Sequence, residues 1–318
     1  MTTKKKILWS AGIVILLVVG IVVGGGLYLI DFALRPENRG KNMVESETFM
    51  RKEYPQIVQW LDSLEEHHAL RDTFILAPDG IQMHAFYAHA SRPTARTAII
   101  VHGYTDNAIR MFHIGYLYNH SLDCNILLPD LRYAGLTEGD AIQMGWLDRK
   151  DVMQWIDVAP ALFGDSLQAV VHGISMGAAT TMMLSGEATP DYVTCFVEDC
   201  GYTSVWDVFS SELQLRFGLP EFPILYTASG VAKLRAGYNF TEASALQQIA
   251  ACEKPMLFIH GTADDFIPYE MMDILYNAKP GDNKAELTAD GAGHGEALYA
   301  LGDAYWDAVF DFVAPYME

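Results

Sequence analysis

The first hydrophobic block in the chain is also the longest. Residues 7–30 carry no charge and are broken only by Ser10 and five glycines. At 24 residues, the run exceeds the roughly 20 helical residues that cross a bilayer. Lys4, Lys5 and Lys6 precede it, and Arg35, Arg39 and Lys41 follow in a polar stretch, 31–41. The pattern predicts a single membrane anchor over 7–30, with the short basic tail 1–6 in the cytoplasm by the positive-inside tendency. The remaining chain would then lie outside the cytoplasm. The length of the run and the poor cleavage site at Gly24-Gly25-Gly26 favour a retained signal-anchor over a cleaved signal peptide.

Periodicity then changes twice. Residues 43–66 set Met50, Tyr54, Ile57, Trp60, Leu61 and Leu64 on a helical stripe interrupted by Pro55, which predicts one helix or two short ones. We read 31–72 as a linker and helical lead-in. From residue 73 onward, short apolar runs alternate with helical stretches. Residues 74–76 and 81–87 flank the turn signal Pro78-Asp79-Gly80 and read as a hairpin. The runs 97–101, 125–128, 169–172, 193–197 and 256–259 have few charges, as strands buried on both faces of a parallel sheet do. Helices are expected at 145–163, 175–186 and 269–277, and a last one at 296–316. The alternation predicts an α/β fold with a mostly parallel central sheet flanked by helices, over 73–318. Residues 201–240 break the pattern. They are rich in aromatics and cut by Pro220 and Pro223, and read either as a crossover helix with a long loop or as a small helical cap.

Composition narrows the function classes. The chain has 318 residues, 51% of them hydrophobic, and a net charge of -19. Phosphate contacts need clustered Lys and Arg, so no nucleic-acid partner is expected. Cys124, Cys195, Cys200 and Cys252 form no CxxC pair and no zinc spacing with His, so no metal site is expected.

Chemistry enters at Gly173-Ile174-Ser175-Met176-Gly177, between the buried run 169–172 and a helical pattern. A serine thrust out of a sheet on a sharp strand-to-helix turn needs glycine two residues to either side, where side chains would clash. The stretch therefore resembles the nucleophile elbow of the α/β-hydrolase superfamily, and the resemblance extends over most of 73–312. It implies the fold of that family, with chain order serine, acid, histidine. His294, in Gly291-Ala292-Gly293-His294-Gly295, matches the family's histidine loop. His260-Gly261-Thr262-Ala263-Asp264-Asp265-Phe266-Ile267-Pro268 looks like the family pattern His-Gly-x-x-Asp-x-x-Val-Pro, making Asp264 the implied acid and Asp265 the alternative. Val101-His102-Gly103-Tyr104-Thr105 resembles the oxyanion loop, with the backbone N–H groups of Tyr104 and Met176 as donors. One departure stands at Asp130-Leu131-Arg132-Tyr133-Ala134-Gly135, where Tyr133 replaces a glycine common in relatives.

The sequence is also similar to bacterial membrane-anchored hydrolases related to cinnamoyl and feruloyl esterases and to serine aminopeptidases. The resemblance implies a serine hydrolase acting on a small ester or acyl substrate, without cofactor. A peptidase or amidase, or an acyltransferase or thioesterase, would use the same triad, and a non-catalytic scaffold would not need it. If the anchor is separable, a soluble chain begun near Asn42 keeps full activity.

Overall fold

The computed structural model describes residues 2–37 and 40–317. Arg39, one of the basic residues counted after the apolar run, lies outside them. The chain opens with a 32-residue helix, α1 (Thr3–Leu34). It is longer than the 7–30 span read from the sequence, because Lys4 to Lys6 and Asp31 to Leu34 continue its hydrogen bonding. By length and composition α1 is apolar enough to cross a membrane.

Helices α2 (Met43–Glu53) and α3 (Val58–Glu66) follow, separated by a single 3-10 turn at Pro55–Ile57. Proline has no N–H to continue a helix, so the two-helix alternative is the one found. The Asn42 side chain accepts from the Glu45 N–H and caps α2. Met50, Ile57 and Leu61 are fully buried against the sheet. The helical part of 31–72 is therefore built into the core.

Eight strands make one sheet: β1 (Arg71–Leu76), β2 (Gln82–Ala88), β3 (Arg96–Val101), β4 (Asn125–Pro129), β5 (Gln168–Ile174), β6 (Val193–Asp199), β7 (Met256–Gly261) and β8 (Lys284–Ala289). Their order is β1-β2-β4-β3-β5-β6-β7-β8. The first hairpin is antiparallel, β2 pairs antiparallel with β4, and every later pairing is parallel. Alternate side chains on the central strands feed two cores. Ile99, Val101, Val171, Phe196 and Phe258 face one layer, and Ala98, Ile100, Val170, Val197 and Ile259 the other. That two-sided burial is why these strands read as continuous apolar runs.

Between the strands lie α4 (Phe112–Tyr116), α5 (Asp148–Phe163) and α6 (Met176–Ser185). Residues 201–240 form two helices, α7 (Val205–Phe217) and α8 (Ile224–Ala236), with the prolines between them. They lie over the end of the sheet, which favours the cap reading. Then come α9 (Ala245–Ile249) and α10 (Glu270–Ala278). The last expected helix is two, α11 (Ala297–Leu301) and α12 (Asp303–Val313), because Gly302 sits between them at φ 55.

The loop after β4 is fixed by one carboxylate. Asp130 is buried and accepts from the N–H groups of Ala108 (2.7 Å) and Leu136 (2.9 Å), and pairs with His84 Nδ1 at 2.7 Å. Burial opposes its charge, yet the His84 and backbone hydrogen bonds prevail and hold its carboxyl below the usual range. Tyr133, which stands where the resembled motif has glycine, sits at φ 68. The left-handed region costs a side-chain-bearing residue roughly 1–2 kcal/mol. Removing the Asp130 carboxylate leaves two buried polar partners unpaired, His84 and the Ala108 N–H. We expect Asp130→Ala to lower stability by about 3–5 kcal/mol, read from urea unfolding. A loss under about 1 kcal/mol would refute the hub.

Candidate active site

The candidate site forms at the carboxyl ends of the parallel strands, where open α/β sheets bind their ligands. Ser175 stands between β5 and α6 at φ 59 and ψ -120. Its flanking glycines explain how the turn is tolerated. A β-carbon at Gly173 would stand 2.1 Å from the Gly177 carbonyl oxygen, and one at Gly177 would stand 2.1 Å from that of Val101. No side chain fits either place.

Three loops bring the remaining groups to this turn. His294, from the loop after β8, has Nε2 2.8 Å from Ser175 Oγ. Its Nδ1 lies 2.7 Å from Asp264 Oδ2, in the loop after β7. A carboxylate only accepts, so Nδ1 carries the proton and Nε2 is left to accept from the serine hydroxyl. Asp264 makes this bond, while Asp265 is exposed. The second Asp264 oxygen, Oδ1, accepts from the N–H groups of Phe266 (2.9 Å) and Ile267 (2.8 Å).

A second histidine shares the acid. His260, at the end of β7, has Nε2 3.0 Å from the Ile267 carbonyl and 3.2 Å from Asp264 Oδ2. Burial raises the Asp264 carboxyl, but the bonds to His260 and His294 outweigh it and hold it well below the usual range. The His260 bond to the acid depends on a ring orientation that no motif encodes.

The candidate oxyanion residues lie on either side of Ser175. Met176 opens α6, so its N–H belongs to the first turn, which makes no intrahelical bond. The 103–104 loop runs against the serine: a β-carbon at Gly103 would be 3.5 Å from Ser175 Cβ. His102 fixes this loop. Its Nε2 accepts from the Leu131 N–H at 2.9 Å, so its Nδ1–H donates to the Gly103 carbonyl at 2.8 Å.

The Cys200 thiol lies within 4.8 Å of the Asp264 and His294 donor atoms. Burial, with Asp199 and Asp264 nearby, pushes this thiol well above its ordinary range.

Ser175 opens on an apolar cavity of about 520 Å³. Tyr104, Tyr202, Phe209 and Phe266 line it from the domain and the cap. The end of α1 lines it too, through Leu29, Ile30, Phe32 and Ala33. The Tyr104 hydroxyl donates to the Ala33 carbonyl at 2.7 Å, and burial pushes that hydroxyl's pKa up to about 12. This removes the basis for expecting full activity from a chain begun near Asn42, which would lose part of the cavity wall.

Beneath the site, Glu198 is fully buried. One of its oxygens accepts from the Gly201 N–H at 3.0 Å, and the other has no protein partner among the described residues. Burial pushes its pKa up to about 8, against about 4.3 for an exposed Glu. Between those values the folded state holds a proton that the unfolded chain has released, so stability falls as pH rises through that window. Asp148 and Asp199, raised by burial to about 7 and about 6, add to the fall. Glu198→Gln is expected to shrink, without abolishing, the drop in Tm between about pH 5 and about pH 8. An unchanged drop would mean that Glu198 does not hold the proton.

Comparison with known proteins agrees with this architecture. Residues 141–316, more than half of the chain, match the model of the prolyl oligopeptidase family. The uncharacterized protein YqkD of Bacillus subtilis is 28% identical over 254 residues, covering 79% of this chain and 82% of that protein. The uncharacterized membrane protein YNL320W of Saccharomyces cerevisiae is 22% identical over 209 residues, 63% of this chain and 66% of that one. Among solved structures, the esterase Pf2001 of Pyrococcus furiosus superposes with a TM-score of 0.62 at 19% identity, over 78% of this chain and 93% of that one. At that identity it shows the shared α/β-hydrolase fold.

Proposed function

The chain belongs to the prolyl oligopeptidase family, a serine hydrolase on the α/β-hydrolase fold, and within that class we propose that it cleaves carboxylic esters with Ser175, His294 and Asp264. The observation that carries the proposal is the hydrogen-bonded row from Ser175 Oγ through His294 to Asp264, opening on an apolar cavity. The Ser175 oxygen attacks the ester carbonyl as His294 Nε2 takes its proton. The carbonyl oxygen, now negative, is held by the N–H groups of Tyr104 and Met176. His294 returns the proton to the leaving alcohol, and the acyl group remains on Ser175. Water then attacks the acyl-enzyme, with His294 again as base, releasing the acid and the free serine. Asp264 keeps the proton on Nδ1 and stabilises the imidazolium between steps. His260 acts through Asp264 as a positioning residue.

The proposal includes the membrane. α1 anchors the chain as a single span, the tail 1–6 is cytoplasmic, and the hydrolase domain lies outside the cytoplasm. The apolar helix and the three lysines before it support this reading, as does the membrane protein named among the yeast relatives. A second reading, peptide-bond cleavage by the same residues, is favoured by the family's description.

The test uses the full chain in detergent. A fluorophosphonate is expected to add once, on Ser175, and not to Ser175→Ala. Removing Ser175 or His294 should cost about 10⁴-fold or more in kcat, and Asp264→Asn about 10⁴-fold, with folding retained. Matched nitrophenyl ester and peptidyl nitroanilide substrates separate the two readings. Turnover of the anilide alone would overturn the ester assignment, and the absence of any adduct on folded protein would overturn the enzyme reading.

A further inference from the structure

The exposed part of α1 and its packed part meet at one point. Residues 7–23 are almost wholly exposed, and from Gly26 onward Gly26, Ile30 and Leu34 are buried at four-residue spacing. A β-carbon at Gly26 would lie 2.9 Å from Thr227 Cγ2, so this glycine is where α1 comes into close contact with α8. At 1.5 Å per residue, a hydrocarbon core about 30 Å thick takes about 20 residues. Counted from Ile7, just after the lysines, they end at Gly26. The bilayer boundary and the start of the protein contact therefore coincide.

The cavity wall begins only three residues further on, at Leu29, or about 5 Å along the helix. A band of charge marks the same level: Asp31 pairs with Arg235 at 3.2 Å and with Arg35 at 3.5 Å. Helix α8 runs beside α1 in the same direction, with Thr227 near Gly26 and Arg235 near Asp31. Residues before Thr227 therefore lie on the bilayer side of Gly26. Two of them are aromatic and open, Phe222 at 72% exposure and Tyr226 at 56%. Aromatic side chains at this depth suit the membrane interface.

Resting on the reading of Ser175 as the nucleophile, we propose that the substrate is a lipid ester drawn from the bilayer, its acyl chain held in the cavity between α1, α7 and α8. The membrane helix is thus one wall of the substrate site. The chain slides out of the leaflet along Leu29, Ile30 and Phe32 without crossing water, and its ester reaches Ser175 at headgroup depth. Phe222 and Tyr226 hold the cap against the leaflet.

The test compares nitrophenyl laurate with nitrophenyl acetate on the full chain in phosphatidylcholine vesicles. Wild type is expected to favour laurate in kcat/KM. Leu29→Trp, which fills the cavity from the membrane helix, should reduce the laurate-to-acetate ratio at least about tenfold. Phe222→Glu changes an exposed position outside the cavity. It should lower laurate turnover in vesicles by about tenfold and leave acetate turnover unchanged. Fluorophosphonate labelling of Ser175 runs in parallel. Labelling with a ratio that neither variant changes would overturn the lipid assignment and leave the hydrolase reading intact. Wild type with neither label nor turnover of either ester would overturn the hydrolase reading itself.

Discussion

At Gly177 the backbone of α6 passes so close to the end of β3 that a β-carbon would stand 2.1 Å from the Val101 carbonyl oxygen. That contact locks the turn carrying Ser175 against the strand that leads into the 103–104 loop. The serine is held at φ 59, a conformation that a residue with a side chain adopts only when its surroundings enforce it. The candidate oxyanion donors, Tyr104 and Met176, then flank it by construction. Asp264 and His294 arrive from the loops after the neighbouring strands β7 and β8, so the row of hydrogen bonds inherits its geometry from sheet register.

Much of this was legible in the sequence, because the signals were local. Strands β3 to β7 appear as short apolar runs, since burial on both faces leaves no alternation to obscure them. The elbow announces itself through Gly173 and Gly177, whose absent side chains are a steric requirement. Asp264 and His294 follow from loop motifs of fixed spacing, and the structure brings both to Ser175.

What was hidden depends on tertiary placement. In a run that is apolar all round, Leu29 and Ile30 look like Leu16 and Leu17. Hydropathy therefore could not show where the exposed part of α1 gives way to the part packed on the cap. The carbonyl of Ala33 is an ordinary helix-end acceptor until Tyr104 is folded beneath it. His260 and Glu198 sit in strands where a sequence shows burial but not partners. The break at Gly302 was missed because the apolar spacing of the last segment continues through it.

Helix α1 and the site are thus parts of one object. Tyr104 touches both, its side chain bound to the end of α1 and its backbone beside the serine. The most direct measurement is a crystal structure of the full chain carrying a long-chain alkyl fluorophosphonate on Ser175. The account predicts the phosphonyl oxygen within hydrogen-bond distance of the Tyr104 and Met176 N–H groups, with the alkyl chain lying against Leu29 and Phe32. An alkyl chain directed away from α1, or an adduct on a residue other than Ser175, would contradict it.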